Sequence, residues 1–167
     1  MQTLTRVSHE HHDRLQGFVD QLNDLAAGMN CDCLDSGELA EQLPRLRQVH
    51  EGLVTQLIPH MEAVEAAIYP TLERVAADWQ TTAPLAREHQ EIRRLIGAVG
   101  EFAENPRAHE DRYAVLALRR VLFRLYALLQ THLAEEEVYI PVLEDRLTPA
   151  AEKALARALD HLAAERF

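Results

Sequence analysis

A pattern of histidine and carboxylate occurs twice in this chain, each time at helical spacing, and the duplication narrows the folds open to it. His12-Asp-Arg-Leu15 leads into Phe18-Val19, and His89-Gln-Glu-Ile92 leads into Leu95-Ile96. Later in each half, Glu65-Ala-Ala-Ile-Tyr-Pro70-Thr-Leu72-Glu73 is matched by Glu136-Glu-Val-Tyr-Ile-Pro141-Val-Leu143-Glu144. His60 precedes the first of these segments and His132 the second. Each half therefore brings one His on its first helix, then a His and a Glu on its second.

The rest of the chain agrees with an all-α reading. Apolar residues recur every three or four positions, and the period-two alternation of strands is missing. The spacing predicts helix 1 from about Leu4 to Ala27, with Leu15, Val19, Leu22 and Leu25 inside and Gly28 as its C-cap. A loop follows from Met29 to Asp35. Helix 2 then runs from an N-cap at Ser36 to about Ala77, with Leu46, Val49, Leu53, Leu57, Val64 and Ile68 inside. Thr81 or Thr82 caps helix 3, which ends near Asn105 and buries Ile92, Leu95, Ile96, Val99 and Phe102. Helix 4 starts at Arg107 or somewhat later and reaches Arg146. Thr148-Pro149 opens a short helix 5, to about residue 165. The expected architecture is one domain over 1–167: an up-down-up-down antiparallel four-helix bundle over about 4–146, with the fifth helix at about 149–165.

Charge and composition remove several function classes. With 17 Lys and Arg against 27 Asp and Glu, the net charge is -10. That argues against nucleic acid and anionic membrane as partners, since both call for clustered basic residues. The acid is spread along the chain and reads as a solvated surface. No segment has the roughly 18 to 20 apolar residues of a membrane span. Two Cys make no disulfide framework, and the N-terminal residues lack the apolar stretch of a signal peptide. The expected location is the cytoplasm. Cys31 and Cys33 read as free loop thiols, with a redox-sensitive pair as the alternative.

Three prolines stand where helices resist them: Pro59 and Pro70 in helix 2, Pro141 in helix 4. Each removes a backbone hydrogen bond and crowds the preceding turn, at a cost of about 3 kcal/mol. Kinks of this kind suit a site better than a plain bundle. The repeated polar residues also lie on apolar stripes. His12 stands one turn from Leu15, His89 one turn from Ile92, and His132 shares a stripe with Leu125, Leu129, Glu136 and Leu143. A buried carboxylate without a partner costs several kcal/mol. A pair of cations would compensate two Glu and four His buried together, because carboxylates bridge cations and neutral imidazoles fill the other positions. Without metal, such a core would hold two carboxylates facing each other.

In these residues the chain resembles the hemerythrin-like, HHE cation-binding family. The segments THLAEEEVYIP and PHMEAVEAAIYP carry the resemblance most strongly, with EHHDRL and EHQEIRRL beside them. It covers about Val7 to Arg146. It implies a four-helix bundle with a non-haem di-iron centre, held by His from all four helices and carboxylates from the second and fourth. Carried onto this chain, the ligands are His12, His60, Glu65, His89, His132 and Glu136. Two positions depart from the family pattern. Arg93 stands where oxygen carriers have a second helix 3 His, and Val64 stands four residues after His60, where the carboxylate is usual. Glu65, one further on, would need a widened turn between Pro59 and Glu65 to face the metal.

The resemblance implies iron as cofactor and dioxygen, nitric oxide or peroxide as the small partner, in sensing, carriage or iron and oxygen handling. A di-iron enzyme consuming peroxide is the alternative, and a metal-free structural bundle the second. Among the remaining histidines, His9 and His11 are expected to be exposed or at the bundle end, His109 and His161 on the surface, and His50 in the core. Tyr69 and Tyr139, one turn after the repeated Glu, read as packing or as hydrogen-bond partners of the site.

Overall fold

A computed structural model describes residues 3–29, 37–75 and 82–164. These residues form five helices and no strand: α1 (Thr3–Gly28), α2 (residues 38–75), α3 (Thr82–Glu104), α4 (Arg112–Glu144) and α5 (Pro149–Ala164). None of them is long and apolar enough to cross a membrane. Cys31, Cys33, Ser36 and Thr81 lie outside the described residues.

The helix ends follow local chemistry. Gly37 stands at the N-cap of α2 with φ 76°, a left-handed backbone that favours glycine. Asp111 caps α4 by accepting from the Tyr113 N–H at 2.8 Å, after a single 3-10 turn at Ala108–Glu110. The Thr148 hydroxyl accepts from the Ala151 N–H at the start of α5, as Thr148-Pro149 predicts.

The α2 helix is continuous but twice widens to a π-turn, at Leu53–Leu57 and Val64–Ile68. The Ile58 N–H reaches back to the Leu53 carbonyl, and the Tyr69 N–H to the Val64 carbonyl, each five residues away. Each widening ends two residues before a proline, Pro59 or Pro70, which lacks the N–H that a regular turn would use. Residues Ile58–Ala63 are regular helix, so the widened turns lie on either side of the segment where one was expected. Pro141 sits inside α4 with no such widening.

Two apolar layers fill the bundle. One contains Leu22, Leu25, Leu46, Leu53, Ile96 and Leu122, the other Leu4, Val64, Ile68, Leu85, Ile140 and Leu159. His12, His60, His89, His132 and Glu136 are all buried, and their positions along the helices fall between the two layers. This polar belt is the level at which the site forms.

Beyond the belt, two polar contacts tie the repeat together. Glu144 on α4 accepts from both the N–H and the hydroxyl of Thr5, at 2.7 and 2.6 Å, in the first turns of α1. Glu73 on α2 accepts from the Thr82 hydroxyl at the first residue of α3. Thr5 stands two turns before His12, as Thr82 does before His89, and Glu73 and Glu144 are the closing residues of the two repeated segments. Each half thus supplies a carboxylate to the start of the first helix of the other, and Glu144 also takes up a backbone N–H there that would otherwise lack a partner.

Candidate metal centre

The carboxylate of Glu136 lies at the middle of the belt, 5% exposed. Its Oε2 is 2.9 Å from His12 Nε2 and 3.1 Å from His60 Nε2. Its Oε1 is 3.2 Å from His132 Nε2 and 4.0 Å from His89 Nε2. Two groups of three donors result, His12, His60, Glu136 and His89, His132, Glu136, with the one carboxylate common to both. Four helical residues between His132 and Glu136 bring both onto one face of α4. His12 and His89 enter from the corresponding turns of α1 and α3.

The outer nitrogens decide what the inner ones can do. Glu65 Oε1 is 2.7 Å from His89 Nδ1, and Glu88 Oε2 is 2.9 Å from His132 Nδ1. A carboxylate there accepts an Nδ1–H, which leaves the Nε2 lone pair of each neutral ring pointing inward. Those two Nε2 atoms face each other at 2.8 Å. Two lone pairs at that distance repel unless a proton or a cation lies between them. Glu136 Oε1, buried, has no hydrogen bond of good geometry. Donors about 2.1 Å from a common cation and at right angles to each other stand about 3 Å apart. Four of the observed separations, at 2.8 to 3.2 Å, are of this size, and His89 Nε2 to Glu136 Oε1 is wider at 4.0 Å. The nitrogen and oxygen donors present therefore fit a pair of cations.

Electrostatics follows the same lines. Burial and the neighbouring His132 push the His89 pKa down to about 4. Burial also pulls His132 down, but the neighbouring Glu136 and Glu88 carboxylates outweigh it, so its pKa is raised. Burial disfavours the Glu136 charge, yet the rings of His12, His132 and His60 around it hold its pKa well below the usual carboxylate range. Burial likewise works against Glu65, and hydrogen bonds from Arg93 and His89 more than reverse it.

The structure brings five of the six residues nominated from sequence into the two groups. Glu65 is the exception. Its carboxylate stands behind His89, gripped by Arg93 Nη1 and Nη2 at 2.9 and 3.0 Å, and takes part in neither group. The π-turn starting at Val64 does not bring Glu65 inward, because a cation on α3 and the His89 Nδ1–H together offer it a better-solvated ion pair. One carboxylate, not two, therefore lies among the four imidazoles. Glu88, which the sequence reading left aside, holds His132; the available signal was its place directly before His89.

The other candidates fall as follows. His11 is 5% exposed, and so buried rather than exposed, 3.4 Å from Asp160 of α5, and its ring centroid is 5.7 Å from that of His60. Burial and the nearby His60 lower its pKa. His9 Nδ1 donates to the Thr5 carbonyl, and His109 Nε2 to the Phe102 carbonyl. His50 lies over Gly100 and joins neither group. Tyr69 stacks on His89, with its hydroxyl 3.3 Å from His89 Nε2, and burial together with the Glu136 charge raises its pKa, so it stays protonated. Tyr139 lines, with Tyr69, Val64, Ile68 and Leu85, a cavity of about 10 Å³ that touches Glu136.

A family model described as the hemerythrin HHE cation binding domain matches residues 3–143 and, overlapping, 84–165. The second match begins within the first turn of α3, where the second half of the repeat begins. Comparison with curated proteins and with solved structures found no match.

Proposed function

Because the chain belongs to the hemerythrin HHE cation-binding family, we propose that it is a non-haem di-iron protein that binds or reacts with dioxygen, nitric oxide or peroxide. Sensing, carriage and iron or oxygen handling are the roles open to it, with the cytoplasm as its place of work. The observation that carries the reading is the sharing of Glu136 by two pairs of imidazoles. When bound, two irons supply open coordination positions and two electrons that can move to a small ligand.

The chain's own groups do the rest. His12 and His60 would hold one iron and His89 and His132 the other, with Glu136 between them. Glu65 and Glu88 keep the Nε2 atoms of His89 and His132 turned inward. The apolar layers exclude bulk water, which strengthens every charge interaction in the belt. The small cavity beside Glu136 has room for about one water-sized molecule, which favours a diatomic ligand over an organic substrate. Tyr69 presents a protonated hydroxyl next to His89. Peroxide consumption is the second reading, since that hydroxyl can donate a hydrogen bond to a small ligand held beside His89. The contacts of Thr5 with Glu144 and of Arg119 with Ala26 support antiparallel packing of α1 on α4, as an up-down-up-down order requires.

Protein loaded anaerobically with ferrous iron should take up two irons per chain. Air should then give near-ultraviolet absorption of oxo-bridged ferric iron. A chain that takes up no iron under these conditions returns the reading to a structural bundle. Turnover of added peroxide would select the enzyme over the binding protein.

A further inference from the structure

The two halves of the centre are held differently. On one side, His89 and His132 each place Nδ1 within 2.9 Å of a carboxylate oxygen, of Glu65 and Glu88 respectively. Glu65 is itself fixed by two bonds from Arg93. On the other side, neither His12 Nδ1 nor His60 Nδ1 has a hydrogen-bond partner, although both are buried. The carboxylate nearest His12 Nδ1 is Glu137, 3.8 Å away and half exposed. The repeat explains part of the difference. Glu88 directly precedes His89, and the residue directly before His12 is His11, whose ring lies beside His60. An imidazole has replaced a carboxylate at the corresponding place.

We propose that Glu65 and Glu88 are positioning residues that make the two cation positions unequal, so that the His89–His132 position fills first and holds its metal more tightly. The inference rests on the di-metal reading above. A carboxylate on Nδ1 fixes the tautomer and ring orientation and makes Nε2 a stronger donor. Loss of such a partner typically costs about 10- to 100-fold in metal affinity. His12 and His60 lack this help, so their rings must be ordered by the metal itself, and that ordering subtracts from affinity.

Two cations sharing Glu136 repel each other, so unequal uptake by the intact centre would not be sufficient evidence. The test isolates each position. His60→Ala leaves the His89–His132 position, and His132→Ala leaves the His12–His60 position. Each full-length variant is titrated anaerobically with cobalt(II), followed by calorimetry and by the visible absorption of the bound ion. The His60→Ala protein should bind cobalt at least about tenfold more tightly than the His132→Ala protein. Adding Glu65→Gln and Glu88→Gln to His60→Ala should remove most of that advantage. The same pair added to His132→Ala should change nothing. Glutamine keeps the shape and an acceptor oxygen, and if the triple variant does not fold, Glu88→Gln alone in the His60→Ala protein should still weaken binding severalfold. Equal affinities in the two single variants would overturn the proposal, as would a Glu→Gln pair that leaves the His60→Ala affinity intact. Failure of the wild-type chain to bind any cobalt or iron would instead overturn the di-metal reading beneath it.

Discussion

His89 and His132 point their Nε2 atoms at each other across 2.8 Å, each ring backed by a carboxylate on its far side. A bundle selected only for packing would have little reason to keep such a contact. It makes sense as a socket for positive charge, and the sharpest expectations follow from how Glu136 closes that socket.

Glu136→Ala should abolish uptake of both irons, because its carboxylate belongs to both donor groups. The crowding of two carboxylates expected from sequence would make the apo variant no less stable than apo wild type. The structure reverses that sign: Glu136 is the acceptor for His12 and His60, and removing it leaves buried ring nitrogens without partners. Apo Glu136→Ala should therefore lose about 1 to 3 kcal/mol. Glu65→Ala, by contrast, should keep bound iron but hold it less firmly. Thermal melts with and without iron, alongside metal analysis, separate these outcomes. An iron-induced rise in melting temperature in Glu136→Ala equal to that in wild type would show that Glu136 is not a ligand.

The apo protein should be most stable near pH 6.5. The raised pKa of His132 means that its contribution is complete below the ordinary value of 6.5 and is lost as pH climbs through the folded-state pKa above it. His89 works the other way. Its folded-state pKa of about 4 favours the neutral ring, so stability falls as pH drops from 6.5 toward 4, where the unfolded chain binds the proton and the folded chain does not. Glu136, held well below 4.5, contributes above that value and is lost in more acidic solution. Urea melts across this range should give a maximum between two falling limbs. Stability that rises steadily from pH 6.5 to pH 8.5 would contradict the assignment for His132.

Thr5→Ala should lower stability by about 1 to 2 kcal/mol while leaving iron content unchanged. The variant removes one of the two bonds to Glu144, a buried carboxylate far from the donor groups. Thr82→Ala should behave alike through Glu73. Chemical denaturation followed by metal analysis checks both. A loss of iron in either variant would mean that the helix starts and the centre are mechanically linked.

Gly52→Ala should cost about 1 to 3 kcal/mol, because an added Cβ would come within 2.1 Å of Phe18 Cε1. Gly52 lies immediately before the first π-turn, so its contact with α1 helps to seat the widened segment. Pairing the change with Phe18→Leu should recover most of the loss. Equal damage with and without Phe18→Leu would point to backbone preference rather than the ring.

The sequence made the helices and their inward stripes legible, and helical spacing alone puts His132 beside Glu136 and His12 among Leu15 and Val19. It misled on Glu65 because repetition speaks for a shared ancestry of position, while the outcome depended on Arg93 of another helix. What Glu88 and His11 face, His132 in one case and His60 with Asp160 in the other, is likewise set by packing between distant segments. The prolines in α2 pointed to a departure from regular helix, but the widening expected between Pro59 and Glu65 fell on either side of that segment, at Leu53–Leu57 and Val64–Ile68.

The contact between Thr5 and Glu144 spans 139 residues, and that between His12 and Glu136 spans 124. A ribosome making this chain releases α1 long before either acceptor exists. The first helix must wait through nearly the whole of synthesis with its opening turn unclosed and its histidine facing no carboxylate. The two donor groups that share Glu136 can therefore assemble only in a polypeptide that is almost complete.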